Sequence, residues 1–177
     1  MEKIILKDGT EAILRIPKKE DAKEIVQFYN IVGGETHFLS FGANEFRTSV
    51  KGYEKNIEDI AKTKNSIIIL ATINEKIAGI ATINSSNKAK NIHDGTFGIV
   101  ISQKYCNLGL GKKMMEYIIS WAKSNGITKR ISLMTNEDNA VARALYEKVG
   151  FQLEGVVRRG ICFQGKYYDS ILMGLTL

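Results

Sequence analysis

Gly98-Ile99-Val100-Ile101-Ser102-Gln103-Lys104-Tyr105-Cys106-Asn107-Leu108-Gly109-Leu110-Gly111-Lys112-Lys113 is the stretch on which the fold turns. Ile99 to Ile101 is a short apolar run of the kind a buried strand requires. Gly109 and Gly111 mark a turn, and an amphipathic pattern starts directly after them. Strand, glycine turn and helix together aim backbone N–H groups and the positive end of a helix dipole at one point. An anionic, phosphorylated ligand suits such a point.

Outward from this stretch the chain alternates strand and helix signals. Residues 92–102 form the strand that enters the turn, and 109–125 the helix that leaves it, with Leu110, Met114, Ile118 and Trp121 on one side. Asn125-Gly126 ends that helix, residues 127–135 are a strand, and 138–149 a helix closed by Gly150. Upstream, residues 11–16 alternate as a strand, 19–30 carry Ala22, Ile25, Val26 and Tyr29 at helical spacing, and 35–42 are an aromatic-rich loop. A second helix over 45–63 places Phe46, Val50, Tyr53, Ile57 and Ile60 on one stripe. Residues 66–73 and 76–84 read as a hairpin about Asn74-Glu75. Phe151 to Leu177 reads as two strands turning at Gln164-Gly165-Lys166.

The expected architecture is α/β, a single domain over 1–177. It has a mixed central sheet of about seven strands with four helices, in the order β-α-α-β-β-β-α-β-α-β-β. The strand–helix–strand unit over 92–135 requires a parallel crossover, and ligands of such units sit beyond the carboxyl end of the strand.

The chain has 177 residues, enough for one sizeable core, and 44% of them are hydrophobic against 25% charged. No apolar run approaches the roughly 20 residues of a membrane span. Cys106 and Cys162 are too few for a disulfide framework, so a cytoplasmic location without a membrane partner is expected. The net charge of +6 suits an anionic ligand. The lysines are scattered rather than gathered in a stripe, which ranks a solvated surface ahead of nucleic-acid binding.

Two phosphate motifs fail on the glycine turn. A P-loop needs glycine at Cys106 and Ser or Thr at Lys113. A dinucleotide fingerprint from Gly109 needs a small residue at Met114. The pattern (Gln/Arg)-x-x-Gly-x-(Gly/Ala) fits at Gly109 and Gly111, with Cys106 at the Gln/Arg position. Downstream, Asn139-Ala140-Val141-Ala142-Arg143-Ala144-Leu145-Tyr146-Glu147-Lys148-Val149-Gly150-Phe151 has the form Asn-x-x-Ala-x-x-x-Tyr-x-x-x-Gly-Phe. On a helix Asn139, Arg143 and Tyr146 fall on a single stripe, with Asn139 and Tyr146 about 10 Å apart along the axis. Val141, Ala144 and Leu145 then face the core.

These two segments resemble the GNAT superfamily of N-acetyltransferases, and the ending from Glu154-Gly155 to Met173 is similar to bacterial members that modify small amines or protein N-termini. The resemblance implies acetyl-CoA as co-substrate, no metal, and acetyl transfer to a primary amine by direct attack in a ternary complex. The acceptor would be a small amine, a polyamine or a protein N-terminus. A non-catalytic acyl-CoA-binding module of the same fold is the alternative. Dimers are common in the family, so a homodimer is compatible with the resemblance.

For the cofactor side the resemblance assigns Ile99, Val100 and Ile101 to the thioester and pantetheine arm, with an N–H around Val100 or Ile101 for the oxyanion. It assigns Cys106, Asn107, Leu108, Gly109, Leu110, Gly111 and Lys112 to the pyrophosphate, and Asn139, Arg143 and Tyr146 to the arm. Tyr146 matches the position of the general acid toward the thiolate. Glu35 leads the candidates for a base, followed by His93, Asp94, Tyr168 or a water chain. The loop Glu35–Phe41 and the strands near Tyr167–Asp169 would wall the acceptor site. Cys106 as an acyl-carrying nucleophile is disfavoured, because the pyrophosphate loop lies far from the thioester.

Overall fold

The computed structural model describes residues 1–177. Its centre is β3 (Ile67–Ile73), buried along its whole length. Ile67, Ile69, Ala71 and Ile73 enter one core while Ile68 and Leu70 enter a second, so the strand is apolar on both faces. The first core lies under α3 (Leu110–Ser124) and α4 (Ala140–Lys148), and the second under α1 (Ala22–Val32) and α2 (Val50–Ala61). Helices thus cover both faces of one sheet.

The sheet has eight strands, one more than expected, in the order β1-β2-β3-β4-β5-β6-β8-β7. They are β1 (Glu2–Ile5), β2 (Glu11–Arg15), β3, β4 (Lys76–Ser85), β5 (Asp94–Ile101), β6 (Arg130–Asn136), β7 (Gln152–Phe163) and β8 (Lys166–Thr176). The added strand is β1, a short edge strand antiparallel to β2. Its sequence signal was Asp8-Gly9, where Gly9 takes φ +84° and Asp8 accepts from the Thr10 N–H at 3.0 Å.

Helix α2 starts at Val50 rather than at 45, because the Ser49 hydroxyl accepts from the Gly52 N–H and fixes the cap. Phe46 therefore precedes the helix. It still reaches the core, stacked on Tyr29 at 4.4 Å and tied through its backbone to the Asn30 side chain.

Strands β5 and β6 run parallel as the crossover requires, but they pair only over Asp94–Thr96 and Arg130–Ser132. Beyond that point β5 stays with β4 as far as Ile101, and β6 stays with β8 as far as Asn136. The sheet therefore splays open between the carboxyl ends of β5 and β6. No helix is long and apolar enough to cross a membrane.

Candidate active site

The splay leaves part of β5 without a partner. Ser102 donates to the Ala78 carbonyl at 3.0 Å, so even-numbered residues of this strand direct their backbone polar groups at β4. The amide of Val100 is thus used in the ladder, whereas those of Ile99 and Ile101 point into the opening. Of the two residues expected to supply an oxyanion donor, only Ile101 has its N–H on the open side.

After β5 the chain makes one turn of 3-10 helix, Gln103–Tyr105, and reverses through Asn107 at φ 64° and Gly109 at φ 90°. From Asn107 to Lys112 no backbone amide donates to a protein acceptor, and the first helical bond of α3 is Lys113 N–H to the Gly109 carbonyl. This is a run of open donors at a helix N-terminus, the arrangement an anion needs. Gly111 permits the close approach: a Cβ there would stand 3.1 Å from Ile101 Cδ1 and 3.5 Å from Leu145 Cδ2. The Lys7 stem lies beside Gly109, and the Lys7 N–H donates to the Leu108 carbonyl. Lys7 gave no sequence signal, since only the pairing of β1 brings it to the turn. Lys112 and Lys113 instead pair with Glu116 on the solvated helix face.

Cys106 hangs back from the turn, with Sγ 3.7 Å from the Ser102 carbonyl. Burial and the nearby charge of Glu35 push its thiol pKa up, which disfavours a nucleophilic thiolate. Cys162 sits exposed in β7 opposite Tyr167.

Helix α4 is rotated relative to expectation. Val141 is 71% exposed and Ala144 is also exposed, while Ala142, Leu145, Tyr146 and Val149 pack inward. Tyr146 draws the helix round, because its ring lies edge-on to Phe97 at 6.5 Å and against Phe151 at 6.0 Å, burying more apolar area than Val141 or Ala144 offers. Its hydroxyl makes no protein hydrogen bond and is not among the sealed unpaired atoms, so the ring is buried while the oxygen stays open. Burial pushes that hydroxyl up to about 12, which keeps it protonated.

Asn139 caps α4 by accepting from the Ala142 N–H at 3.3 Å, and its amide reaches Thr135 Oγ1 at 3.4 Å. Arg143 donates to the Glu137 carbonyl, and its Nε is buried without a partner.

The base candidates separate widely. His93 and Asp94 stand at the entry of β5, about 23 Å along the strand from Ile101. There the His93 carbonyl accepts from Lys129 and Arg130, and Asp94 is paired with Arg130. Glu35 stands at the splay, accepting from the Gln103 N–H at 2.7 Å and the Ser102 hydroxyl at 3.2 Å. The two proposed acceptor walls meet at His37, whose ring packs on Phe163 and Tyr168, both at 5.5 Å. A concavity of about 480 Å³ between the ends of α2 and α3, lined by Ile57, Ile60, Trp121 and Asn125, lies away from this site.

An α/β sheet splayed at the carboxyl end of β5, with an anion cradle beside the opening, is the framework of an acyltransferase family. The chain belongs to the acetyltransferase (GNAT) family, whose model matches residues 35–151. Among solved structures, an acetyltransferase of the GNAT family from Streptococcus pneumoniae superposes with a TM-score of 0.91 at 36% identity, covering 94% of this chain and 99% of that one. The L-amino acid N-acetyltransferase AaaT of Escherichia coli is 29% identical over 59% of this chain and 65% of its own length. The [ribosomal protein bS18]-alanine N-acetyltransferase of the same organism is 32% identical over 46% of this chain and 54% of its own. The matched stretches thus span less than two thirds of these curated relatives.

Proposed function

We propose that the chain is an N-acetyltransferase that moves the acetyl group of acetyl-CoA to a primary amine by direct attack within a ternary complex. The observation that carries this reading is the open run of amides from Asn107 to Lys112 beside a splay whose Ile99 and Ile101 amides are unpaired. The first group suits a pyrophosphate. The second suits an extended amide-bearing arm lying alongside the strand, as an added strand would.

The residues divide the work. Lys7 and the turn amides hold the anion, and Gly111 keeps α3 close enough to Ile101 for cradle and strand to address one ligand. The Ile101 N–H receives the charge that develops on the carbonyl oxygen. Tyr146 supplies a proton to the departing thiolate: its hydroxyl is protonated at neutral pH and is bonded to nothing else in the protein, although burial, by raising its pKa to about 12, makes it the weaker acid. Glu35 places a carboxylate at the mouth, which attracts an acceptor arriving as an ammonium. Acetyl-CoA when bound supplies the activated acyl group.

The acceptor lies within the amine class. Relatives named for L-amino acids and for the alanine of a ribosomal protein make free amino acids and alanine-initiated peptides the first to try, with spermidine for polyamines. Cytoplasmic residence accords with this co-substrate. The test is thiol release from acetyl-CoA over that panel at varied concentrations of both substrates. Intersecting double-reciprocal lines are expected; parallel lines would point to a covalent acyl-enzyme instead.

A further inference from the structure

The loop after α1 joins the two lips of the splay. On one side Glu35 holds Ser102 and Gln103 at the end of β5. Two residues on, His37 holds the end of β6: its Nε2 lies 2.8 Å from Asp138 Oδ2, and its carbonyl accepts from Asn136 Nδ2 at 3.3 Å. The β5–β6 register sets Asp94 level with Arg130. That pairing ends at Thr96 and Ser132, and beyond it the loop after α1 is what ties the two lips together. His37 therefore stands on the β6 lip, two residues along the loop from Glu35, which holds Ser102, the residue after Ile101.

We propose that His37, oriented by Asp138, takes the proton from the acceptor nitrogen, an assignment that rests on the acetyltransferase reading above. The geometry has the parts of an oriented base. Asp138 engages Nε2, which leaves the lone pair of the neutral imidazole on Nδ1. Phe38 at 4.3 Å, Phe163 and Tyr168 fix the plane of the ring. The side chains of His37 and Asp138 are 31% and 35% exposed, so the pair is reachable from solvent. Glu35 is less suited, because both its oxygens already accept hydrogen bonds. The charged and titratable groups facing the imidazole are Asp138 from the turn before α4 and Tyr168 from β8. Lys166 lies over the Tyr168 ring, and Glu35 precedes on the same loop.

The acceptor ammonium first releases a proton to solvent; the amine nitrogen then attacks the thioester carbonyl carbon, and the C–N bond forms as the carbonyl electron pair moves to the oxygen facing the Ile101 N–H. The nitrogen gives one proton to His37 Nδ1. The pair on oxygen re-forms the C=O bond as the C–S bond breaks with its pair on sulfur, which takes the Tyr146 proton. Solvent carries the His37 proton away and restores that of Tyr146. Amine and thioester become amide and thiol, with no other reactant.

The test is the pH profile of kcat/KM for the wild type, His37→Gln and Asp138→Asn, using acetyl-CoA and the best acceptor from L-alanine, an alanine-initiated peptide and spermidine. His37→Gln is expected to lower kcat/KM by about 10²–10⁴-fold at neutral pH and to erase the acidic limb an imidazole base imposes. The deficit is expected to narrow as pH rises and hydroxide takes over. Asp138→Asn should lower kcat/KM by at least about 10-fold through the same limb. Activity of His37→Gln within about threefold of wild type with the limb intact would overturn the assignment. So would a change confined to Tm or the KM for acetyl-CoA, which is what a merely structural bridge across the splay produces. Absence of thiol release by the wild type with every acceptor would instead remove the acetyltransferase reading, and the role of His37 with it.

Discussion

On the proposed mechanism Tyr146 joins packing to chemistry in one side chain. Its ring is fixed between Phe97 and Phe151, but its hydroxyl bonds nothing in the protein. Removing that oxygen should therefore spare the fold and harm the reaction. Tyr146→Phe is expected to keep the wild-type Tm and KM for acetyl-CoA while kcat falls about 10²-fold, measured by thiol release. Gly109 carries the opposite burden. At φ 90° an alanine pays roughly 1–2 kcal/mol for the left-handed backbone and turns the open amides away from their common point. Gly109→Ala is expected to lower Tm and weaken CoA binding together, as followed by thermal melts and calorimetry. Both residues stood out in the sequence because glycine spacing and the helical stripe are local. The His37–Asp138 pair did not: its members are 101 positions apart, and only the folded chain brings them together.

Elements show where local pattern stops deciding. The 3.6-residue period of α4 defines two faces, but it does not say which turns inward. Tertiary contact settled that through Phe97 and Phe151, and the sequence reading turned Val141 and Ala144 inward instead. The start of α2 was misplaced for a different reason. Phe46 fits the apolar stripe, yet the Ser49 cap ends the extended segment three residues later. Ser49→Ala should cost about 1 kcal/mol, seen as a lower midpoint in denaturant with unchanged slope. Strand β1 was missed because Glu2, Lys3 and exposed Ile5 leave only Ile4 and Leu6 buried, too few to set a period. The glycine turn before α3 is legible because Gly109 and Gly111 act on their own neighbours, whereas Lys7 reaches it only through the fold.

At the scale of the whole molecule, three buried tyrosines couple stability to pH. Burial raises the pKa of Tyr29, Tyr53 and Tyr146, the last to about 12. In the unfolded chain these hydroxyls ionise near their ordinary value of about 10. Between that value and the folded one, the unfolded state has lost protons that the native state keeps. The stability they confer is thus fully present below about pH 10 and is lost as pH rises toward 12. Alkaline unfolding monitored by circular dichroism should begin above pH ~10, and Tyr146→Phe should make it shallower. The splay adds a second whole-molecule property on the proposed reading, in which acetyl-CoA fills it and bridges β5 and β6. Acetyl-CoA at about a hundredfold over its Kd should stabilise the fold by ~2.7 kcal/mol.

Filling the splay is common to an enzyme and to a module that only binds CoA; turnover is not. The decisive measurement is the release of CoA thiol from acetyl-CoA in the presence of an amine, with the acetylated amine identified in the same reaction by mass spectrometry. Amine-dependent release in equal amounts with acetylated product is the result expected from the open Ile101 amide, the protonated Tyr146 hydroxyl and the bridging loop. Tight binding of acetyl-CoA with no release on free amino acids, alanine-initiated peptides or polyamines would contradict it.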